Sequence, residues 1–152
     1  MFHSVLPRFD HLTENEQHKH IIKLQTRWAA DALNDARYNK KQALAFEKSK
    51  MLRSEQHARV TKQERDWATL ASNDAVYAQK EARRFRTLGK DILADMYQQE
   101  HDWCVIWSNK RRKLADMHNM TLSEMYWKEY EWSMFWYNRR KRIIDDHREL
   151  LD

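Results

Sequence analysis

The chain has 152 residues, a net charge of +5 from 28 Lys and Arg against 23 Asp and Glu, and only one Gly, one Pro and one Cys. So few breakers in one domain's worth of chain predict an all-α protein, and a single Gly excludes phosphate loops and dinucleotide fingerprints. Cys104 stands alone, which excludes an internal disulfide and fits a reducing compartment, and no apolar run reaches the roughly 18 residues of a membrane span.

Residues 1–12 read as an irregular arm, with Pro7 blocking an early helix. The stretch 1–17 lacks the apolar core expected of a signal peptide, and its Asp10, Glu14 and Glu16 against Arg8 match a transit peptide poorly. Thr13 followed by Glu16 has the form of a capping box and should start the first helix. Ile21, Leu24, Trp28 and Ala32 follow at helical spacing. With no Gly or Pro between Arg8 and Leu88, residues 13–88 form either one rod of roughly 110 Å or two helices. The expected break is near Ser49–Ser54, and apolar periodicity fades around Asn39–Lys41 and again at Ser54–His57. Gly89 suits the left-handed close of a helix and Asp91 the cap of the next. The third helix carries Leu93, Met96, Tyr97, Glu100, Trp103, Cys104, Trp107, Arg111 and Leu114 in one stripe and ends at 118–120. Thr121 with Glu124 opens a fourth helix that runs to about Glu149. Short connectors favour antiparallel neighbours.

An internal repeat underlies these elements. Trp103–Asp116, WCVIWSNKRRKLAD, returns as Trp132–Asp145, WSMFWYNRRKRIID, and the likeness extends upstream to Leu93 and Leu122. A Trp followed six residues later by Asn recurs at 28/34, 67/73, 103/109 and 132/138. The expected fold is therefore four long amphipathic helices, one per repeat, with units of about 13–50, 51–88, 91–118 and 121–149. They are arranged as antiparallel hairpins or an extended rod.

The Trp stripe is most simply core. The fourth helix exceeds that account: beside Met125, Trp132, Phe135 and Trp136, a second stripe of Trp127, Tyr130, Met134 and Tyr137 runs along another face. A helix apolar nearly all round must be covered, and the other three are too polar to cover it, so this second stripe is read as a partner surface. Glu100 and Arg111 recur as Glu129 and Arg140 inside the stripes, so Glu100 can meet Arg140 and Arg111 can meet Glu129 in an antiparallel hairpin. Each repeated Asn lies away from its Trp around the helix and faces a different surface. Lys110-Arg111-Arg112-Lys113 and Arg139-Arg140-Lys141-Arg142 are basic tetrads in the same register, either solvated helix ends or sites for phosphates or an acidic partner. His18 with His20, and His101 with Cys104, offer only two metal ligands each, short of a closed site. No nucleophile–base pattern occurs, so neither an enzyme nor a cofactor is expected.

The pattern Leu-x-x-Met-Tyr-x-x-Glu-x-x-Trp followed by a basic stretch, over 84–118 and again over 121–147, resembles helical segments of small ciliary doublet-microtubule inner proteins. That resemblance implies an axonemal scaffold bound to tubulin or neighbouring helical proteins through aromatic anchors, and it carries over no functional residue. The functional expectation is a non-catalytic structural subunit of a large assembly with no small-molecule substrate. Its anchors would be Trp103, Trp107, Trp127, Tyr130, Trp132, Trp136 and Tyr137, with charge supplied by Lys110, Arg112, Arg139 and Lys141. The alternatives are an accessory subunit of a mitochondrial complex or ribosome, and an RNA-binding module using the tetrads and tryptophans.

Overall fold

The computed structural model describes residues 12–117 and 119–152, so the expected arm lies outside the described residues except for Leu12. Four helices account for nearly all of the rest: α1 Glu14–Phe46, α2 Arg53–Thr87, α3 Asp91–Ala115 and α4 Leu122–Glu149. The all-α expectation holds, and the helices fold back on one another as hairpins instead of forming a rod.

The capping chemistry follows the sequence with one correction. Thr13 and Glu16 make both bonds of a capping box, and the Thr121 hydroxyl accepts from the Glu124 N–H at 3.1 Å. Asp91, however, is the first helical residue of α3 and not its cap. The N–H of Leu93 is instead satisfied across the bundle by Gln17 Oε1 at 3.2 Å, and that of Leu122 by Gln56 Oε1 at 3.1 Å. Gly89 closes α2 at φ +73°, where the Lys90 N–H bonds the Phe85 carbonyl at 2.8 Å. Asn119 takes the same left-handed role after α3 at φ 59°. The turn between α1 and α2 has no glycine. Ser49 Oγ accepts from the Met51 N–H, and Gln56 Nε2 donates to the Met51 carbonyl at 2.9 Å.

The tightest helix pairs are α1 with α4 and α2 with α3, both antiparallel. Their seams are built of small residues. Ala29, Ala32, Ala36 and Ala43 on α1, and Ala68, Ala71, Ala75, Ala78 and Ala82 on α2, recur at steps of three, four or seven and are buried. Without large side chains the backbones approach closely enough for side chains of one helix to bond carbonyls of the next. Ser123 Oγ donates to the Ala43 carbonyl at 2.8 Å, and Ser108 Oγ to that of Ala68 at 3.0 Å.

The two pairs face each other around two apolar clusters, one at each end. Ile21, Phe85, Leu93, Met96 and Tyr97 centre one cluster; Val60, Leu114, Leu122, Met125 and Tyr126 centre the other. Shifting by 39 residues from α1 to α2 and by 29 from α3 to α4 maps much of one cluster onto the other. Tyr97 packs edge-on to Trp28 and stacks on Phe85; Tyr126 packs edge-on to Trp67 and stacks on Phe46. The molecule thus has an internal two-fold that exchanges α1 with α2 and α3 with α4. Because the exchanged helices are antiparallel, the axis runs perpendicular to them. No helix among the described residues is long and apolar enough to cross a membrane.

Candidate interaction site

Between the apolar ends lies a polar waist that sets the register of α3 against α4. Arg140 donates to Glu100 at 2.7 and 3.2 Å, and Arg111 Nε donates to Glu129 at 3.2 Å. These are the pairs expected from the repeat. Each has a third member from the opposite hairpin. Gln25 Nε2 donates to Glu100 at 3.1 Å while its Oε1 accepts from Arg140, and Glu64 stands 4.0 Å from Arg111. Gln25 and Glu64 are counterparts under the 39-residue shift.

The two guanidinium groups lie over tryptophan rings, Arg111 over Trp107 at 4.2 Å and Arg140 over Trp136 at 5.3 Å. Trp107 and Trp136, also counterparts, stack at 5.1 Å, and Trp103 meets Trp136 at 5.0 Å. The two-fold therefore passes between Trp107 and Trp136. Outward from this stack, α3 and α4 form a groove of about 230 Å³ lined by Trp103, Ile106, Trp107, Trp132, Phe135 and Trp136, with Lys110 and Arg139 at its rim. Every lining residue has its counterpart in the groove: 103 with 132, 106 with 135, 107 with 136, 110 with 139. Trp136 is 7% exposed and belongs to the core, whereas Ile106 and Phe135 are 54% and 59% exposed. Arg139 lies over the Trp103 ring at 4.2 Å, a cation–π contact.

The structure thus gathers Trp103, Trp107, Trp132, Trp136, Lys110 and Arg139 into one groove and leaves the remaining expected residues elsewhere. The second stripe of α4 is partly covered within the chain. Trp127 packs against the cluster that includes Phe46 and donates its indole N–H to Glu47 at 3.2 Å, so α1 covers part of that face. Tyr130 and Tyr137 are half-buried, and neither lines the groove. Alanines on α1 let the helices come together closely enough for this cover, which a count of large apolar residues misses. Ile106 and Phe135 are groove residues outside the expected anchor set. Their shared repeat position, three residues after Trp103 and Trp132, is the signal that marks them.

Each basic tetrad loses one member to the interior, Arg111 or Arg140, while Lys110, Arg112, Lys113, Lys141 and Arg142 stay exposed. Arg112 bridges to Ser72 Oγ at 2.9 Å. The four repeated Asn are all exposed, on a different face from the half-buried Trp of their repeat.

Cys104 and His101 do not form a pair for chemistry. His101 Nδ1 bonds the Ala75 carbonyl at 2.9 Å, and burial, with Glu100 and Asp74 adding, pushes the Cys104 thiol up to about 12. His18 turns to His147, with their Nδ1 atoms 2.8 Å apart. No group of three His, Cys, Asp or Glu side chains among the described residues gathers to hold a metal ion. No family model, curated protein or solved structure matches the chain.

Proposed function

We propose that the chain is a non-catalytic structural subunit of a larger protein assembly, held in place by an acidic amphipathic helix of a neighbouring subunit seated in the α3/α4 groove. The observation that carries this reading is the exposure of Ile106 and Phe135 at the centre of an aromatic floor with cations at its rim. Apolar side chains this exposed, clustered and rimmed by polar groups mark association surfaces. Aromatic anchors beside arginine are the residues that dominate binding energy. Lys110, Arg112, Lys113, Lys141 and Arg142 supply a field that favours a partner with carboxylates flanking its apolar face. Within this class, the resemblance of the 84–118 and 121–147 segments favours an axonemal, microtubule-associated scaffold, with tubulin or an adjacent helical protein as the neighbour.

Cross-linking in native cells followed by mass spectrometry tests both levels. Links from Lys110 or Lys128 to an acidic helix of a structural subunit support the docking mode, and links to axonemal proteins support the placement. Links to mitochondrial or ribosomal subunits would retain the subunit reading and reject the axoneme. The double variant Ile106→Glu/Phe135→Glu should lose those links and still fold, because both side chains are exposed. Unchanged links in that variant would reject the groove. Loss of binding at high salt with no effect of the double variant would point to phosphate contacts and an RNA partner.

A further inference from the structure

The α3/α4 groove carries charges of both signs in an alternating order. On α3, Asp102 lies four residues before Ile106 and Lys110 four residues after it, so an acid and a base flank the exposed apolar side chain one turn away on either side. On α4, Glu131 and Arg139 flank Phe135 in the same way, each the counterpart of its α3 equivalent under the 29-residue shift. Farther along each helix, Lys113 and Arg142 repeat the positive sign. Because α3 and α4 run antiparallel about the two-fold, the acid of each lies level with the base of the other. Four corners of alternating sign therefore surround Ile106 and Phe135.

Asp102, Lys110 and Glu131 are exposed, and Arg139 is half-buried on the Trp103 ring. Asp102 accepts from the Gln98 amide at 3.2 Å and Glu131 stands 3.8 Å from Lys128. Both are surface contacts that leave the carboxylates open to a further cation.

An alternating rim is complementary to itself. When a second copy is turned over by half a turn about an axis in the plane of the groove, along or across the helices, every acid corner lies over a base corner. A copy crossed at a right angle would set like charge over like. In the aligned pose Ile106 and Phe135 of the two copies meet and leave water. They are 54% and 59% exposed in the single chain, with Val105 beside them at 40%. An acidic partner helix makes no use of Asp102 and Glu131, whereas a second copy gives each of them a base.

We propose that the free chain pairs with a second copy of itself through this groove. The dimer is isologous, with Asp102 and Glu131 of each copy set against Lys110 and Arg139 of the other. This rests on the groove being an association surface and goes beyond it: the second copy covers the aromatic floor until a neighbouring subunit's helix takes its place.

Sedimentation equilibrium of the full chain over a dilution series tests this. The parent should approach twice its 18.7 kDa as concentration rises and dissociate reversibly on dilution. Ile106→Glu/Phe135→Glu should weaken pairing at least tenfold. Asp102→Lys/Glu131→Lys makes all four corners basic, and Lys110→Glu/Arg139→Glu makes them acidic. Each variant alone should pair at least tenfold more weakly than the parent, and an equimolar mixture of the two should restore a 1:1 dimer. Arg139 is the one substituted residue that is not exposed, so if its loss abolishes the cooperative melt, the other two variants decide the matter. A parent that stays monomeric, open-ended association, or pairing as tight as the parent's in either of those two variants would overturn the proposal. A monomeric parent that still gives groove-dependent cross-links to a neighbour would leave the docking reading standing. A dimer whose cross-links to other subunits ignore the groove would reject docking alone.

Discussion

Glu64 has no exposed surface, and neither of its carboxyl oxygens accepts a hydrogen bond from a donor among the described residues. Burial first, then the neighbouring Glu129 carboxylate, raises it to about 9, against the opposing pull of Arg111. One arginine serves two carboxyls here, so Glu64 keeps its proton and donates it to Glu129, as the Gln25 amide donates to Glu100 in the other half. The unfolded chain loses that proton above about 4.5 while the folded chain holds it until about 9. The folded state therefore binds more protons across that window, and stability falls as pH rises through it. Glu64→Gln should abolish this slope, and Gln25→Glu should add a second one. Urea midpoints at pH 5, 7 and 9 decide the matter. A constant difference between parent and Glu64→Gln at all three would mean that Glu64 is ionised in the fold. The pairs Glu100–Arg140 and Arg111–Glu129 were legible because each acid and base recur eleven residues apart inside a repeated stripe. Their third members were not, because Gln25 and Glu64 sit on other helices and only tertiary packing delivers them.

At the scale of the helix, alanine decides the partners. Large apolar residues on α1 are sparse beyond Trp28, and a reading by bulk finds its second half weakly amphipathic. Yet Ala36 and Ala43 are among its most buried positions, because the α1/α4 seam is closed by backbone proximity more than by side-chain volume. Ala36→Leu and Ala75→Leu, one per seam, should each cost about 1–3 kcal/mol by overpacking, read as a lower urea midpoint. A cost under about 0.5 kcal/mol at both sites, the size of an ordinary surface change, would show that the seams have slack. Helix ends were more legible than helix partners. The capping residues Thr13 and Thr121 and the left-handed Gly89 act over three or four residues of chain, and such local bonds form wherever the helix goes. The exception is instructive: Asp91 yields the capping work to Gln17, 74 or more residues upstream, since a buried helix start is satisfied from across the core.

At the scale of the molecule, the α3–α4 hairpin carries the most aromatic residues but cannot stand alone. Its small-residue faces close on α2 and α1, and its leading amides at Leu93 and Leu122 take their acceptors from those helices. A fragment of residues 90–152 should lack a cooperative thermal transition by circular dichroism, and mixing it with residues 12–89 should restore one. Cooperative melting of the isolated hairpin would show that the inter-hairpin seams contribute little. The two-fold also explains why the groove is lined by repeated positions in pairs. The axis passes through the Trp107–Trp136 stack, and repeated positions meet on both sides of it.

The sequence by itself determined the all-α character, the end signals at Thr13, Gly89 and Thr121, the four-fold recurrence of Trp and Asn, and the charge pairs that register α3 against α4. These depend on spacing along the chain and on chemistry within a few turns. Only the tertiary structure decided that α1 pairs with α4, that Trp127 is partly covered, and that Ile106 and Phe135 form the exposed centre of the groove. Those outcomes depend on how closely two backbones approach, and in this chain alanine and serine, whose small side chains leave little trace in a hydrophobic pattern, set that distance.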